Sequence, residues 1–379
     1  MKTKRVWNMS GWIGAAAALA TMMLSAERAQ AGDYRVLHTF TGGADGANPI
    51  GNLLLHGGSL YGTTSRGGVG CGTVFQVDIA TRQETVLHTF AGTDGCNPFA
   101  GLIRDSAGNL YGTTYFDGAG RAGTVFRLHR SGIWVYSFTG LDGANPTAGL
   151  VLDSSGNLYG TTVEGGSAGL GTVFRLDPAG NLTTLHSFGG PDGSYPSSGS
   201  LLLENGYLYG TTSGGGTSGL GTVFQVDAMT GQETVLYSFG VDGANPDWGA
   251  IGDGSGNLYG TTSLGPHGAG GNVFRVDVST GQETVLYSFT GGADGSGPEG
   301  ALFRDSQGNL YGTTCCGGVS QDGTVFKLDM SGVLTTLHEF HEKPGYYPEG
   351  GLVRDAKGNF YGTTNGGCCN FGAVYEIKP

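Results

Sequence analysis

The tetrapeptide Tyr-Gly-Thr-Thr occurs seven times, beginning at Tyr61, Tyr111, Tyr159, Tyr209, Tyr259, Tyr311 and Tyr361, at intervals of 50, 48, 50, 50, 52 and 50 residues. A self-similar unit of about 50 residues is the signature of a propeller-type array. The number of copies constrains the fold as much as the period does, because it sets how the array closes.

The third unit shows the pattern well. Pro146 to Asp153 reads as a first strand, Asn157 to Thr162 as a second, Gly171 to Asp177 as a third and Leu182 to Phe188 as a fourth. Ser154-Ser155-Gly156 and Pro178-Ala179-Gly180-Asn181 supply turns at hairpin spacing. Four antiparallel strands in sequence order make one propeller blade. Glycine accounts for 76 of 379 residues, a share that can signal disorder or collagen. Here the glycines recur at fixed positions beside Tyr, Phe, Leu and Val, so they read as turns and bulges.

The two ends decide closure. The last unit stops after its third strand, Gly372 to Lys378, and Tyr34 to Phe40 is a fourth strand without a blade of its own. Together they complete a seventh blade, which hides both edges and locks the ring. The expectation is an all-β, seven-bladed propeller with four antiparallel strands per blade. The blades are 49–90, 98–138, 146–188, 196–239, 246–289, 298–340, and 348–379 joined by 34–40. The two tight turns of each blade, between its first and second and its third and fourth strands, lie on one face. The long second-to-third-strand loops and the interblade connections lie on the other. That second face is the candidate functional one, because binding groups concentrate on loops carried by a rigid frame.

Residues 1–31 read as an export signal. Lys2, Lys4 and Arg5 open it, an apolar run extends from Trp12 to Leu24, and Ala29-Gln30-Ala31 forms a small-x-small cleavage site. These residues hold four Lys/Arg and one Glu, so the net charge of −12 becomes −15 for 32–379. Such acidity argues against nucleic acid and anionic membranes as partners. No later segment reads as a membrane span. The expected product is an exported monomer in the periplasm, at the cell surface or secreted.

Gly-Asn-Leu-Tyr-Gly-Thr-Thr (Gly156 to Thr162), Gly-Thr-Val-Phe (Gly171 to Phe174) and Leu-His-Ser-Phe (Leu185 to Phe188) resemble the Gloeobacter/Verrucomicrobia ("GloVer") tandem repeat. The resemblance covers nearly all of residues 32–379. It implies an exported protein and brings no catalytic residues with it. The family often adds a C-terminal anchor, and this chain departs by showing none.

Several constellations could carry chemistry. The fourth strands place His38, His88, His186 and His338 in register with Tyr136, Tyr237 and Tyr287. That exchange suits packing and hydrogen bonding between blades. The connections carry Asp-Gly at Asp45, Asp94, Asp142, Asp192, Asp242 and Asp294. Oxygen-rich loops can take calcium, yet the same dipeptides are ordinary turn formers. All six cysteines fall on the long-loop face. Export favours disulfides: Cys71–Cys96, and one or two links among Cys315, Cys316, Cys368 and Cys369. A four-thiolate metal site on the last four stays open.

The sharpest break in the seven-fold pattern follows the connection proline. Around the ring that position reads Ile50, Phe99, Thr147, Ser197, Asp247, Glu299 and Glu349. Three neighbouring blades therefore offer a carboxylate at the channel mouth. Asp247, Glu299 and Glu349 could hold a divalent cation such as calcium or magnesium, bind an amine, or act as an acid/base pair. They could equally be hydrated acids. Tyr195, Trp248, Tyr346, Tyr347 and His267 give the same face groups for stacking on a ligand. No nucleophile elbow, phosphate loop or His-Glu-x-x-His motif is present. The leading expectation is a binding module for an extracellular polysaccharide or surface protein. A metal-assisted lyase or hydrolase and a structural envelope protein remain as alternatives.

Overall fold

The computed structural model describes residues 33–196, 198–265, 270–341, 345–366 and 371–378. Residues 1–31, expected from the sequence to be an export signal, lie outside them. The described residues form seven antiparallel sheets and no helix. None of their segments is a helix long and apolar enough to cross a membrane.

Each sheet follows chain order from the channel outward. In the third blade, Val151–Leu152, Leu158–Thr162, Thr172–Leu176 and Leu182–Ser187 pair in sequence. The seventh sheet breaks that order, because its outer strand is the N-terminal Asp33–Thr39 paired to Ala373–Lys378. The ring therefore closes as the ends of the sequence demand. Third and fourth strands are offset by a bulge in six blades, for example between Val173 and Phe174. The second blade, on the 48-residue interval, has none. A bulge needs an extra residue that a shorter repeat lacks.

The motif assigns a task to each of its four residues. In five blades the tyrosine hydroxyl donates to the aspartate of its own first hairpin, as Tyr111 does to Asp105 at 2.9 Å, Tyr311 to Asp305 at 3.1 Å and Tyr361 to Asp355 at 3.0 Å. The glycine lies under the third-strand phenylalanine. A Cβ at Gly62, Gly112, Gly160, Gly210, Gly260 or Gly312 would fall 2.5–2.7 Å from that ring, so the ring would have to shift to admit one. The first threonine reaches the next blade. Thr63 Oγ1 donates to Ala100 O at 2.8 Å and Thr113 Oγ1 to Ala148 O at 3.0 Å. The second threonine meets the threonine that opens the third strand, as in Thr162 and Thr172 at 2.8 Å.

The core lies between the blades. The phenylalanine ending each fourth strand packs edge-on against the third-strand ring of the next blade. The seven contacts run from Phe40–Phe75 at 5.0 Å to Phe340–Tyr375 at 5.2 Å. Each buried ring is worth about 1.5–3 kcal/mol of transfer free energy, and the edge contact about 0.5–1.5 kcal/mol more.

The fourth-strand His/Tyr ring differs from the expectation of bonds between blades. His88 Nε2 lies 2.8 Å from Asp94 and His186 Nε2 2.9 Å from Asp192, while Tyr136 donates to Asp142 at 2.5 Å. Each partner is the Asp-Gly aspartate that follows on the same chain segment. That carboxylate also accepts a backbone N–H from its own turn, as Asp94 does from Ala91 at 2.9 Å. These aspartates act as turn formers. The connection after the sixth blade lacks such an aspartate, and His338 instead stacks on Tyr34 of the seventh blade at 4.1 Å.

Candidate functional site

The long-loop face is an ordered layer. Each connection pairs with the loop after the motif through an antiparallel bridge, as Ala47 does with Arg66, Ala144 with Glu164 and Tyr346 with Gly366. In the fourth blade the bridge lengthens into an extra strand, Ser194–Pro196, paired to Tyr207–Gly214. The residue before each connection proline is left-handed: Asn48, Asn97, Asn145 and Asn245 take φ between 55° and 58°. Asparagine tolerates that region well. Tyr195 (φ 55°) and Tyr347 (φ 56°) occupy the same position at a steric cost. Both rings are exposed, at 43% and 40%. Tyr346 meets Tyr347 edge-on at 4.8 Å.

In the second, fifth, sixth and seventh blades the loop pairing brings two residues together at the channel mouth, the one after the connection proline and the one after Tyr-Gly-Thr-Thr. Glu349 accepts from Asn365 Nδ2 at 2.9 Å, and Asn365 Oδ1 accepts from Asn48 Nδ2 at 2.7 Å. Glu299 is hydrogen-bonded to Cys315, and Asp247 to Ser263. In the second blade the same two positions are Phe99 and Tyr115, with ring centroids 5.4 Å apart, and Phe116 continues the aromatic run at 4.3 Å. The mouth thus has an aromatic wall on one side and an acidic arc on the other. Ser263 and Asn365 escaped the sequence reading, and Cys315 entered it only as a disulfide or thiolate-ligand candidate. The signal was present, since the residue after the motif runs Ser65, Tyr115, Val163, Ser213, Ser263, Cys315, Asn365.

Electrostatics couples the arc. Burial, then the charge of Glu349 and more weakly that of Asp247, push Glu299 up to about 7 against the pull of its bond to Cys315. Burial also raises Asp247 and Glu349, opposed by Ser263 and Asn365. The Cys315 thiol is pushed up by burial and by Glu299.

Trp248 is half-buried at the fourth–fifth blade seam, where its backbone carbonyl lies against Gly199. Ser197 and His267 lie outside the described residues. The fourth blade also carries one extra residue ahead of its first strand, since Leu202 takes the partner position that Val151 takes in the third. Cys71 and Cys96 form a disulfide across neighbouring loops of the first and second blades. Cys315 and Cys316 are free thiols with sulfurs 2.8 Å apart. Cys368 and Cys369 lie outside the described residues.

Comparison with known sequences agrees with this frame. The profile of the Gloeobacter/Verrucomicrobia repeat matches residues 27–135, 130–304 and 240–379. The chain belongs to that family. No curated protein sequence matches it significantly. Among solved structures, this GloVer protein is similar to an oligogalacturonate lyase in complex with manganese (11% identity, 91% of this chain and 92% of that one, TM-score 0.60). It is similar also to an oligogalacturonate lyase from Vibrio parahaemolyticus (10% identity, 91% and 93%, TM-score 0.59). A third is a GH74 xyloglucanase from Xanthomonas campestris (16% identity, 88% and 52%, TM-score 0.61). At such identities the likeness is one of fold.

Proposed function

We propose that this exported, monomeric propeller binds a neutral or amine-bearing saccharide of an extracellular polysaccharide at its channel mouth. The observation that supports it is the two-sided mouth. Phe99, Tyr115 and Phe116 present aromatic faces, while Asp247, Glu299 and Glu349 present coupled carboxyl groups. Sugar rings stack their C–H faces on aromatics and offer hydroxyls to carboxylates. A half-protonated Glu299 can both donate and accept. Tyr195, Trp248, Tyr346 and Tyr347 extend the platform along blades four to seven. An acidic mouth disfavours a polyuronate, because like charges repel on docking. A glycan array followed by calorimetry with Phe99→Ala and Glu299→Gln tests the reading. Binding of a neutral or amino glycan that both variants weaken is expected, and folded protein that binds no glycan overturns it.

The second reading is a metal-assisted lyase or hydrolase. It is favoured by Glu299 titrating near neutrality, where a general acid or base works best. Calcium or magnesium held by Asp247, Glu299 and Glu349 would then offset the repulsion of an anionic substrate. Manganese-dependent cleavage of an oligogalacturonide that Glu299→Gln abolishes would move the assignment to this reading.

A further inference from the structure

We propose that His186, Asp192 and Glu233, at the seam between the third and fourth blades, form a binding site for a divalent transition metal of the zinc class. Each offers one ligand atom, and the three atoms lie within 4.8 Å of one another. The channel-mouth carboxylates form no such set. Asp192 is already fixed, since Oδ1 accepts the Gly189 N–H at 2.8 Å and Oδ2 lies 2.9 Å from His186 Nε2. Glu233 Oε1 is sealed from solvent with no hydrogen-bond partner. A buried carboxylate oxygen without a donor is costly, and a cation centred on the three atoms removes that cost. One imidazole nitrogen and two carboxylate oxygens suit zinc better than calcium or magnesium, which prefer oxygen alone. All three side chains are half-buried, so water can complete the coordination.

The repeat supplies its own controls. His88 makes the same bond to Asp94, but Ile133 stands where Glu233 stands, each opening the outer strand of the next blade. Tyr237 and Asp242 face Glu283 at the next seam, with a phenol replacing the imidazole. His38, Asp45 and Glu84 repeat the full set at the closing seam in a looser form, with His38 Nε2 3.5 Å from Asp45. Of the three histidine–aspartate pairs, only two meet a glutamate, and only the one at His186 gathers it closely.

The test is zinc titration by calorimetry, with metal content by mass spectrometry, on the secreted chain after alkylation of its free thiols. His186→Tyr copies the residue at the fourth blade's position and Glu233→Leu copies Leu182, so both substitutions are ones this frame already accommodates. The expected result is a bound zinc equivalent that both variants weaken on the order of 100-fold, with unchanged melting in chelator, while His88→Tyr binds as wild type does. The proposal is overturned if the wild type takes up no zinc, if both variants keep its stoichiometry and affinity, if calcium or magnesium outcompetes zinc, or if the equivalent is lost only in His38→Tyr.

Discussion

Replacing Arg35 with alanine should loosen the strand that closes the ring while leaving the other six blades intact. Arg35 and Glu376 face each other across the closing pair of strands, with Nη2 2.5 Å from Oε2. The contact lacks the alignment of a hydrogen bond, so its worth is chiefly the charge. The Glu376 side chain is 3% exposed and that of Arg35 33%. No other blade uses this combination. The equivalent pairs are Gln76/Thr85, Arg127/Trp134, Arg175/Thr183, Gln225/Thr234, Arg275/Thr284 and Lys327/Thr335. Removing one partner of a buried pair costs about 3–5 kcal/mol. Arg35 keeps part of its hydration, which lowers the figure to roughly 2–3 kcal/mol. The Tyr361 hydroxyl remains 3.1 Å from Glu376 Oε1, but its one proton is shared with Asp355 and it carries no charge. Opening of the N-terminal strand should therefore become roughly 30- to 150-fold more populated. Native-state hydrogen exchange reads this directly, comparing amides of 35–39 with those of 222–227. The double variant Arg35→Thr/Glu376→Arg, which copies the third and fifth blades, should restore protection. Unchanged exchange at 35–39 in Arg35→Ala would refute the reasoning, and so would equal loss of protection in all blades.

Further outcomes follow from the same frame. Gly160→Ala should lower stability by about 1–3 kcal/mol, because its Cβ would sit 2.7 Å from Phe174; a thermal melt checks this. Opening the Cys71–Cys96 disulfide, whose cysteines are 25 residues apart, should cost about 3–4 kcal/mol by loop entropy; melting of Cys71→Ser/Cys96→Ser beside wild type measures it. Stability should fall as pH rises through the window between 4.5 and about 7. Glu84, Glu233, Glu283 and Glu299 are all raised from 4.5 to about 7, chiefly by burial. The folded state then binds more protons than the unfolded one across that window, so its advantage is full below 4.5 and lost as pH passes the folded value. Denaturant melts of wild type and Glu299→Gln across pH 4–8 should show a shallower decline in the variant.

Much of the frame was legible along the chain because a repeat states its own geometry. Seven copies, an orphan fourth strand and a missing one implied a closed ring, and the Asp33–Thr39 to Ala373–Lys378 pairing is that closure. The Cys71–Cys96 link could be expected from export and from their neighbouring loops. The roles inside the motif were less legible. Periodicity shows that Gly160 recurs, but only the packed sheet shows Phe174 lying across it. The His/Tyr ring seemed to point between blades, yet six of the seven side chains turn back to their own connection, because the following turn brings its aspartate within reach, and His338 alone stacks across the seam on Tyr34.

The chain alone determined the architecture, the register of the repeats and the positions where seven-fold symmetry fails. Local patterns of alternation and turn residues are sufficient for those, since they act over a few residues. Only the tertiary structure decided which broken positions meet. Asp247 with Ser263, Glu299 with Cys315 and Glu349 with Asn365 are each 16 residues apart and become neighbours because the long loops pair above the sheet. His186, Asp192 and Glu233 belong to two blades and converge only when the ring packs side by side. Burial and charge coupling are properties of that assembled surface, so the chemistry of both sites emerges with closure of the ring.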